Sequence, residues 1–242
     1  MTDTSDTGWA TSATAWIDSL GEAGDFGRAH VLDGPMLARV REGRFRRMLD
    51  VGCGEGRFCR MAQVLGVETT GVDPTAALLG RARDLDPAGR YLDGRAEALP
   101  AADGAFDLVV SYLTLIDIPD LDAALDEMLR CLAPGGVLLI ANLNPFATAP
   151  QPLVRIEGTD GRAYRVIERY FEERGDVVSW RGIAVTNHHR PMSRYMQAML
   201  ARGLELTHFD EPRPTGGPAD TVRRYDAAPW FHVMEWRKPV AF

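Results

Sequence analysis

The sequence predicts an α/β fold: a doubly wound, mostly parallel sheet of seven strands, with helices before it and an insert after the fifth strand. Three observations carry this. Short β-rich runs alternate with helical periodicity from residue 47 to residue 143, and repeated βα units of this length specify a parallel sheet covered on both faces. The first of those strands ends in three alternating glycines that open directly into a helix. The alternation then breaks at Asn144, resumes at Met192, and closes with two more strands.

Taken in order, residues 1–45 read as a helical cap. Trp9, Ala13, Trp16, Ile17 and Leu20 fall at helical spacing, and Pro35 followed by Met36, Leu37 and Val40 marks a second short helix. Met48–Val51 is the first strand, Phe58–Leu65 a helix, Val67–Val72 a strand and Ala76–Leu85 a helix. Tyr91–Leu92, Phe106–Ser111 and Val137–Leu143 supply the next strands, with a helix over Leu121–Leu132. Residues 144–190 form the insert. Pro145, Pro150 and Pro152 interrupt it, and β-biased runs occur at Leu153–Ile156 and Ala163–Phe171 around a Gly158–Gly161 turn. Val177–Val185 reads as one further strand. A helix over Met192–Leu200 and strands over Leu204–Phe209 and Trp230–Trp236 complete a single domain over 1–242.

The 242 residues are 45% hydrophobic, ample for one core, and carry 27 basic against 34 acidic side chains. A net charge of −7 weighs against a protein that grips nucleic acid or an anionic membrane surface. No apolar run is long enough to cross a bilayer, and Asp3 and Asp6 give the amino terminus the wrong polarity for a secretory signal. Three cysteines without paired spacing give neither a disulfide framework nor a metal site. A cytoplasmic protein acting on a small molecule is expected.

The chemistry centres on Leu49-Asp50-Val51-Gly52-Cys53-Gly54-Glu55-Gly56-Arg57-Phe58. Glycines at a strand-to-helix turn let backbone approach a ligand closely. The dinucleotide pattern needs a third glycine where Arg57 stands, and the phosphate loop needs a Gly-Lys-Ser/Thr that is absent. Asp73 closes the second strand about 20 residues on, where a carboxylate holds a ribose diol. Asp50 also reads as a helix cap, and Asp107 as an organiser of a strand start.

With Arg95–Pro100, Phe106–Ser111 and Leu132–Leu138 following in order, residues 45–145 resemble the class I S-adenosylmethionine-dependent methyltransferases, whose fold is Rossmann-like. Within that superfamily the arrangement resembles the ubiquinone/menaquinone-biosynthesis-like small-molecule enzymes, including the His189-Arg190-Pro191-Met192-Ser193 run. The resemblance implies S-adenosyl-L-methionine as cofactor. Asp50, Gly52, Cys53 and Gly54 would face its methionine end, and Asp73 its ribose. Pro74 or Thr75 would lie beside the adenine, Ala96 would offer its amide to the adenine edge, and Ser111 and Leu113 would lie near the sulfonium. Arg95 stands where many relatives have an acidic residue. A guanidinium has no acceptor, so Glu97 or a backbone carbonyl takes the adenine amino group, or Arg95 stacks on the base. Arg28, if the first helices fold over the site, pairs with the cofactor carboxylate.

Candidate general bases are His188, His189 and Asp117; the last also reads as a helix cap. Trp16, Tyr112, Tyr170 and Trp180 are candidate walls. The aromatics of the insert favour O- or C-methylation of a phenolic or quinone-like ring. Ser111-Tyr112-Leu113-Thr114 lacks the Asn/Asp-Pro-Pro-aromatic motif of amino-methylating enzymes, and no Pro-Cys pair supplies a cytosine C5 nucleophile. Two other readings stay open: a non-catalytic S-adenosylmethionine-binding regulatory protein, and a nicotinamide oxidoreductase in which Arg57 replaces the third glycine.

Overall fold

A computed structural model describes residues 7–21, 24–150, 155–159 and 163–240. Asp3, Asp6, Pro152, Leu153 and Gly161, named above, lie outside the described residues.

The elements run in chain order as α1 (Trp9–Leu20), a π-turn (Arg28–Leu32), α2 (Asp33–Gly43), β1 (Arg47–Val51), α3 (Arg57–Val64), β2 (Glu68–Asp73), α4 (Ala76–Leu85), β3 (Arg90–Asp93), β4 (Phe106–Tyr112), α5 (Leu121–Cys131) and β5 (Leu132–Leu143). The segment after β5 holds α6 (Pro145–Thr148) and two hairpins, β6 (Arg155–Glu157) with β7 (Ala163–Arg165), and β8 (Arg174–Trp180) with β9 (Ile183–His189). Then come α7 (Met192–Ala201), β10 (Glu205–Asp210), α8 (Ala219–Asp226) and β11 (Phe231–Arg237).

Seven strands pair in the order β10-β11-β5-β4-β1-β2-β3. Neighbours from β5 to β3 are parallel, and β11 runs antiparallel to both β5 and β10. The period-two rule sorts the strands cleanly. Leu49, Val109, Leu138 and Ile140 enter the core on one face with α5 and α7. Met48, Leu108, Val110, Leu139 and Ala141 enter the other with α2 and α3. Helix α5 shows the local logic: Asp120 caps it by accepting from the Ala123 amide at 3.0 Å, and Leu121, Ala124, Leu125 and Met128 bury one stripe.

From β1 the chain winds outward through β2 to β3, then crosses to β4 on the other side of β1. The order reverses between β1 and β4, and the strands' carboxyl ends open there into a crevice. No helix among the described residues is long and apolar enough to cross a membrane.

Three expectations are corrected. The run Val177–Val185 is not one strand but part of the β8–β9 hairpin, turning at Arg181 and Gly182. The strand expected over Ala163–Phe171 stops at Arg165. The helix expected from Pro35 begins earlier, because the π-turn leads into α2 through an Asp33 amide bonded to the Arg28 carbonyl. Helix α8 has no counterpart in the sequence reading.

Candidate functional site

The turn after β1 is built to lie flat against its neighbours. The Gly52 and Cys53 amides both donate to the Val72 carbonyl on β2, at 2.7 and 3.0 Å. A Cβ on Gly52 would stand 2.1 Å from Thr114 Cγ2, so the residue must be glycine. Gly54 differs: its φ is +55°, yet a Cβ there would meet no protein atom within 4 Å. It faces the open crevice.

Asp73 clamps this turn. Its Oδ2 accepts from the Gly54 amide at 2.9 Å and its Oδ1 from the Thr75 amide at 2.8 Å. The Thr75 side chain bonds to the same carboxylate, which still has acceptor capacity beyond these three bonds. Asp50 sits beside it on β1, buried. Its Oδ2 accepts a weak bond from Cys59 Sγ at 3.6 Å, and its Oδ1 has no partner. Burial pushes its carboxyl up to about 7. Asp50 caps nothing; the residue before α3 is Gly56.

The crevice holds a cavity of about 140 Å³. Its floor is the glycine turn with Asp50 and Asp73, and one end is formed by Pro74, Ala96 and Glu97. Arg95 lies there too, paired with Glu97 at 3.3 Å. The other end is roofed by α1: Trp9 and Trp16 meet edge to face at 5.3 Å, and the Arg28 guanidinium lies 4.7 Å over the Trp16 ring. Arg28 also bonds to Asp25 at 2.5 Å. Helix α1 is seated on β9, where Ser12 Oγ donates to the Ala184 carbonyl and accepts from its amide.

Beyond β4 the chain turns through Leu113, held at φ +58°, into an irregular loop carrying Asp117. Asn187 Nδ2 donates to Asp117 Oδ1 at 2.8 Å, and the Trp9 side chain bonds to the same carboxyl. Burial pushes Asp117 up to about 8. The adjoining helix is capped by Asp120, so Asp117 is not the cap. Asp107 does organise a strand start, accepting from the Arg46 and Arg47 amides at 2.9 Å each.

Arg28, Asp50, Gly52, Cys53, Gly54, Asp73, Pro74, Ala96, Glu97, Leu113 and Asp117 therefore line one crevice. Ser111, His188 and His189 are not among its lining. Ser111 is fully buried within β4. His189 is buried with both ring nitrogens engaged, Nδ1 with Thr148 Oγ1 at 2.7 Å and Nε2 with the Tyr170 carbonyl at 2.8 Å. Burial lowers the proton affinity of His188, which lies in the same strand. Tyr170 and Trp180 lie away from the crevice as well; Tyr170 packs between Phe146 and Phe171.

The sequence reading missed Trp9, Thr114 and Arg57 as lining residues. Trp9 and Trp16 are seven residues apart on one helix, a spacing that puts two indoles on one face. Arg57 entered only as a break in a glycine pattern. It donates twice to Asp33, at 2.9 and 2.6 Å, and Tyr112 Oη donates to the same carboxylate at 2.8 Å. A glycine turn flanked by a buried acid with one unpartnered oxygen and a carboxylate with spare acceptor capacity suits a ligand bearing an ammonium group and a sugar diol.

Residues 49–140 match the family described as the methyltransferase domain. The malonyl-[acyl-carrier protein] O-methyltransferase of Salmonella typhimurium is 31% identical over 183 residues, which cover 74% of this chain and 72% of that protein. Its namesake from Enterobacter lignolyticus is 40% identical over 108 residues, 45% of this chain. There the chain spans less than half of the relative, 43% of its length. The crystal structure of an S-adenosylmethionine-dependent methyltransferase from Mesorhizobium loti superposes with a TM-score of 0.74 at 26% identity, covering 85% of this chain and 99% of that one.

Proposed function

The chain belongs to the S-adenosylmethionine-dependent methyltransferases, and from that premise we propose that it methylates an ionised oxygen of a small acyl carboxylate. S-adenosylmethionine, when bound, supplies a methyl group already activated on a sulfonium, so the protein's work is alignment and exclusion of water. The residues of the crevice fit that cofactor. The unpartnered Asp50 Oδ1 is an acceptor for its ammonium group. Gly54 leaves room for backbone contact, and Asp73 retains lone pairs for the ribose hydroxyls. Pro74, Ala96 and Glu97 would border the adenine, and Arg28 would meet the cofactor carboxylate.

The observation that carries the acceptor class is Asp117. Burial pushes its carboxyl up to about 8, which favours the protonated form over the abstracting one near neutral pH, and Asn187 and Trp9 hold it in place. His188 and His189 do not line the crevice, so neither stands in as base. A site without a free base suits an acceptor oxygen that already carries charge, and a protonated carboxyl can hydrogen-bond the second oxygen of a carboxylate. The O-methyltransferase relatives support the same reading.

A phenolic or quinone-like ring is a second reading. The insert aromatics that favoured it lie elsewhere, but the Trp9–Trp16 pair offers a planar wall.

The test is transfer of labelled methyl from S-adenosylmethionine to panels of acyl carboxylates, malonyl thioesters included, and of phenols. Alkali-labile methyl ester is the expected product. Label in phenols alone would replace the first reading with the second. Cofactor binding without transfer to any acceptor would leave the non-catalytic binding protein.

A further inference from the structure

The loop from Leu113 to Pro119 carries the acceptor wall, yet it has no helix or strand to satisfy its backbone. Asp117 closes one turn by donating its amide to the Thr114 carbonyl at 2.8 Å. Four further carbonyls of the loop, those of Leu115, Ile116, Ile118 and Pro119, accept from outside it. A buried carbonyl needs a donor, and here the donors come from one short stretch at the end of β9. Arg190 Nη1 donates to the Leu115 carbonyl at 2.9 Å. Its Nη2 donates to the carbonyls of Ile118 and Pro119, at 2.6 and 3.0 Å. The His188 amide donates to the Ile116 carbonyl at 2.5 Å.

The stretch is itself anchored. Asn187 holds Asp117, and His189 is pinned between Thr148 and the Tyr170 carbonyl. Four consecutive residues thus each grip a different part of the surrounding structure. Arg190 is only 5% exposed, and the Glu173 carboxylate stands loose from it at 3.9 Å. A guanidinium buried on carbonyls with so distant a counter-ion is a costly arrangement. Its planar fork can reach three carbonyls at once, which a lysine ammonium cannot do in one orientation.

We infer that Arg190 is the positioning residue of the acceptor wall, fixing the Leu115–Pro119 backbone so that Asp117 and Ile118 face the cofactor's reacting end. The assignment of an acceptor side rests on the proposed function; the bracing of the loop does not. Among the described residues none of Arg190's hydrogen bonds reaches the glycine turn, which is held by Val72 and Asp73. The two halves therefore separate under mutation.

Arg190→Gln and Arg190→Lys proteins test this. For Arg190→Gln, titration with S-adenosylhomocysteine should give an affinity within about threefold of the parent. Amide exchange over residues 113–119 should quicken at least about tenfold, with residues 49–56 and 72–75 unchanged. With whichever acceptor the labelling panel identifies, KM should rise and kcat fall, together at least about thirtyfold in kcat/KM. Arg190→Lys should recover part of both effects. Faster exchange everywhere with a matching loss of S-adenosylhomocysteine affinity would reduce Arg190 to a general structural residue and overturn the inference. Unchanged exchange over 113–119 would overturn it too. If Arg190→Gln does not fold, the same measurements on Arg190→Lys decide. If the parent methylates no acceptor, the proposed function fails, while the titration and exchange measurements still judge Arg190.

Discussion

Replacing Gly54 by alanine separates two reasons for a glycine. At Gly54 the backbone is left-handed, with φ +55°, which costs an alanine about 1–2 kcal/mol. The added methyl meets nothing of the protein within 4 Å, so no packing term joins that cost. For a chain of this size the melting temperature should fall by only about 2–8 °C. Cofactor binding should suffer far more, because the methyl projects from a residue lining the crevice; a loss of at least about 100-fold, near 2.7 kcal/mol, is expected. Gly52→Ala reverses the pattern. There the methyl would stand 2.1 Å from Thr114 Cγ2 and 2.6 Å from its Oγ1, with φ at +74°. Overpacking adds about 1–3 kcal/mol to the backbone cost, so that protein should lose most in stability. Calorimetric titration with S-adenosylhomocysteine and thermal melts of both proteins provide the comparison. A Gly54→Ala protein that binds within threefold of the parent would refute the claim that the backbone there approaches the ligand.

Asp73→Asn loses one of two charge-assisted bonds to the Gly54 and Thr75 amides as well as the proposed ribose contact. We expect about 10–100-fold weaker S-adenosylhomocysteine binding by titration. Asp117→Asn should flatten the pH dependence of stability. The folded carboxyl near 8 sits above its ordinary 3.8, so the folded state holds the proton in between and stability declines as pH climbs through that window. Asparagine removes the decline. Discounted for water at the crevice, the relative gain should be about 1–2 kcal/mol in denaturant melts compared at about pH 5 and about pH 9, and equal slopes in both proteins would contradict it. His189→Ala should lose about 1–2 kcal/mol of stability through its bonds to Thr148 and Tyr170, without altering the pH profile of methyl transfer. A shifted profile would restore it as a base.

What the sequence disclosed and what it hid divide along physical lines. The β1 turn and Asp73 were legible because close backbone approach demands glycine and a sugar diol favours a carboxylate, so residue type and spacing follow from the chemistry. The sheet was legible because its buried strands read as short β-rich runs. The β8–β9 hairpin was hidden because its turn places a non-glycine, Arg181 at φ +46°, beside Gly182. Such a turn usually announces itself by Asn-Gly or Asp-Gly. Helix α8 buries none of its residues, so it has no apolar stripe to detect. His189 looked catalytic for the reason histidines generally do, and only its two hydrogen-bond partners reveal a strut. Those partners come from distant segments, which no local pattern encodes.

The placement of β11 bears on how the molecule tolerates a cut chain. The strand lies inside the sheet, hydrogen-bonded to β5 on one side and β10 on the other, yet it is reached through the largely exposed stretch 211–218. A protease nicking that stretch leaves two pieces joined by both ladders, so they should stay associated. Deleting the later piece would instead bare the apolar edge of β5 and invite aggregation. Residues 211–218 are thus a natural place to divide the protein into halves that reassemble, with regained binding of S-adenosylhomocysteine as the signal.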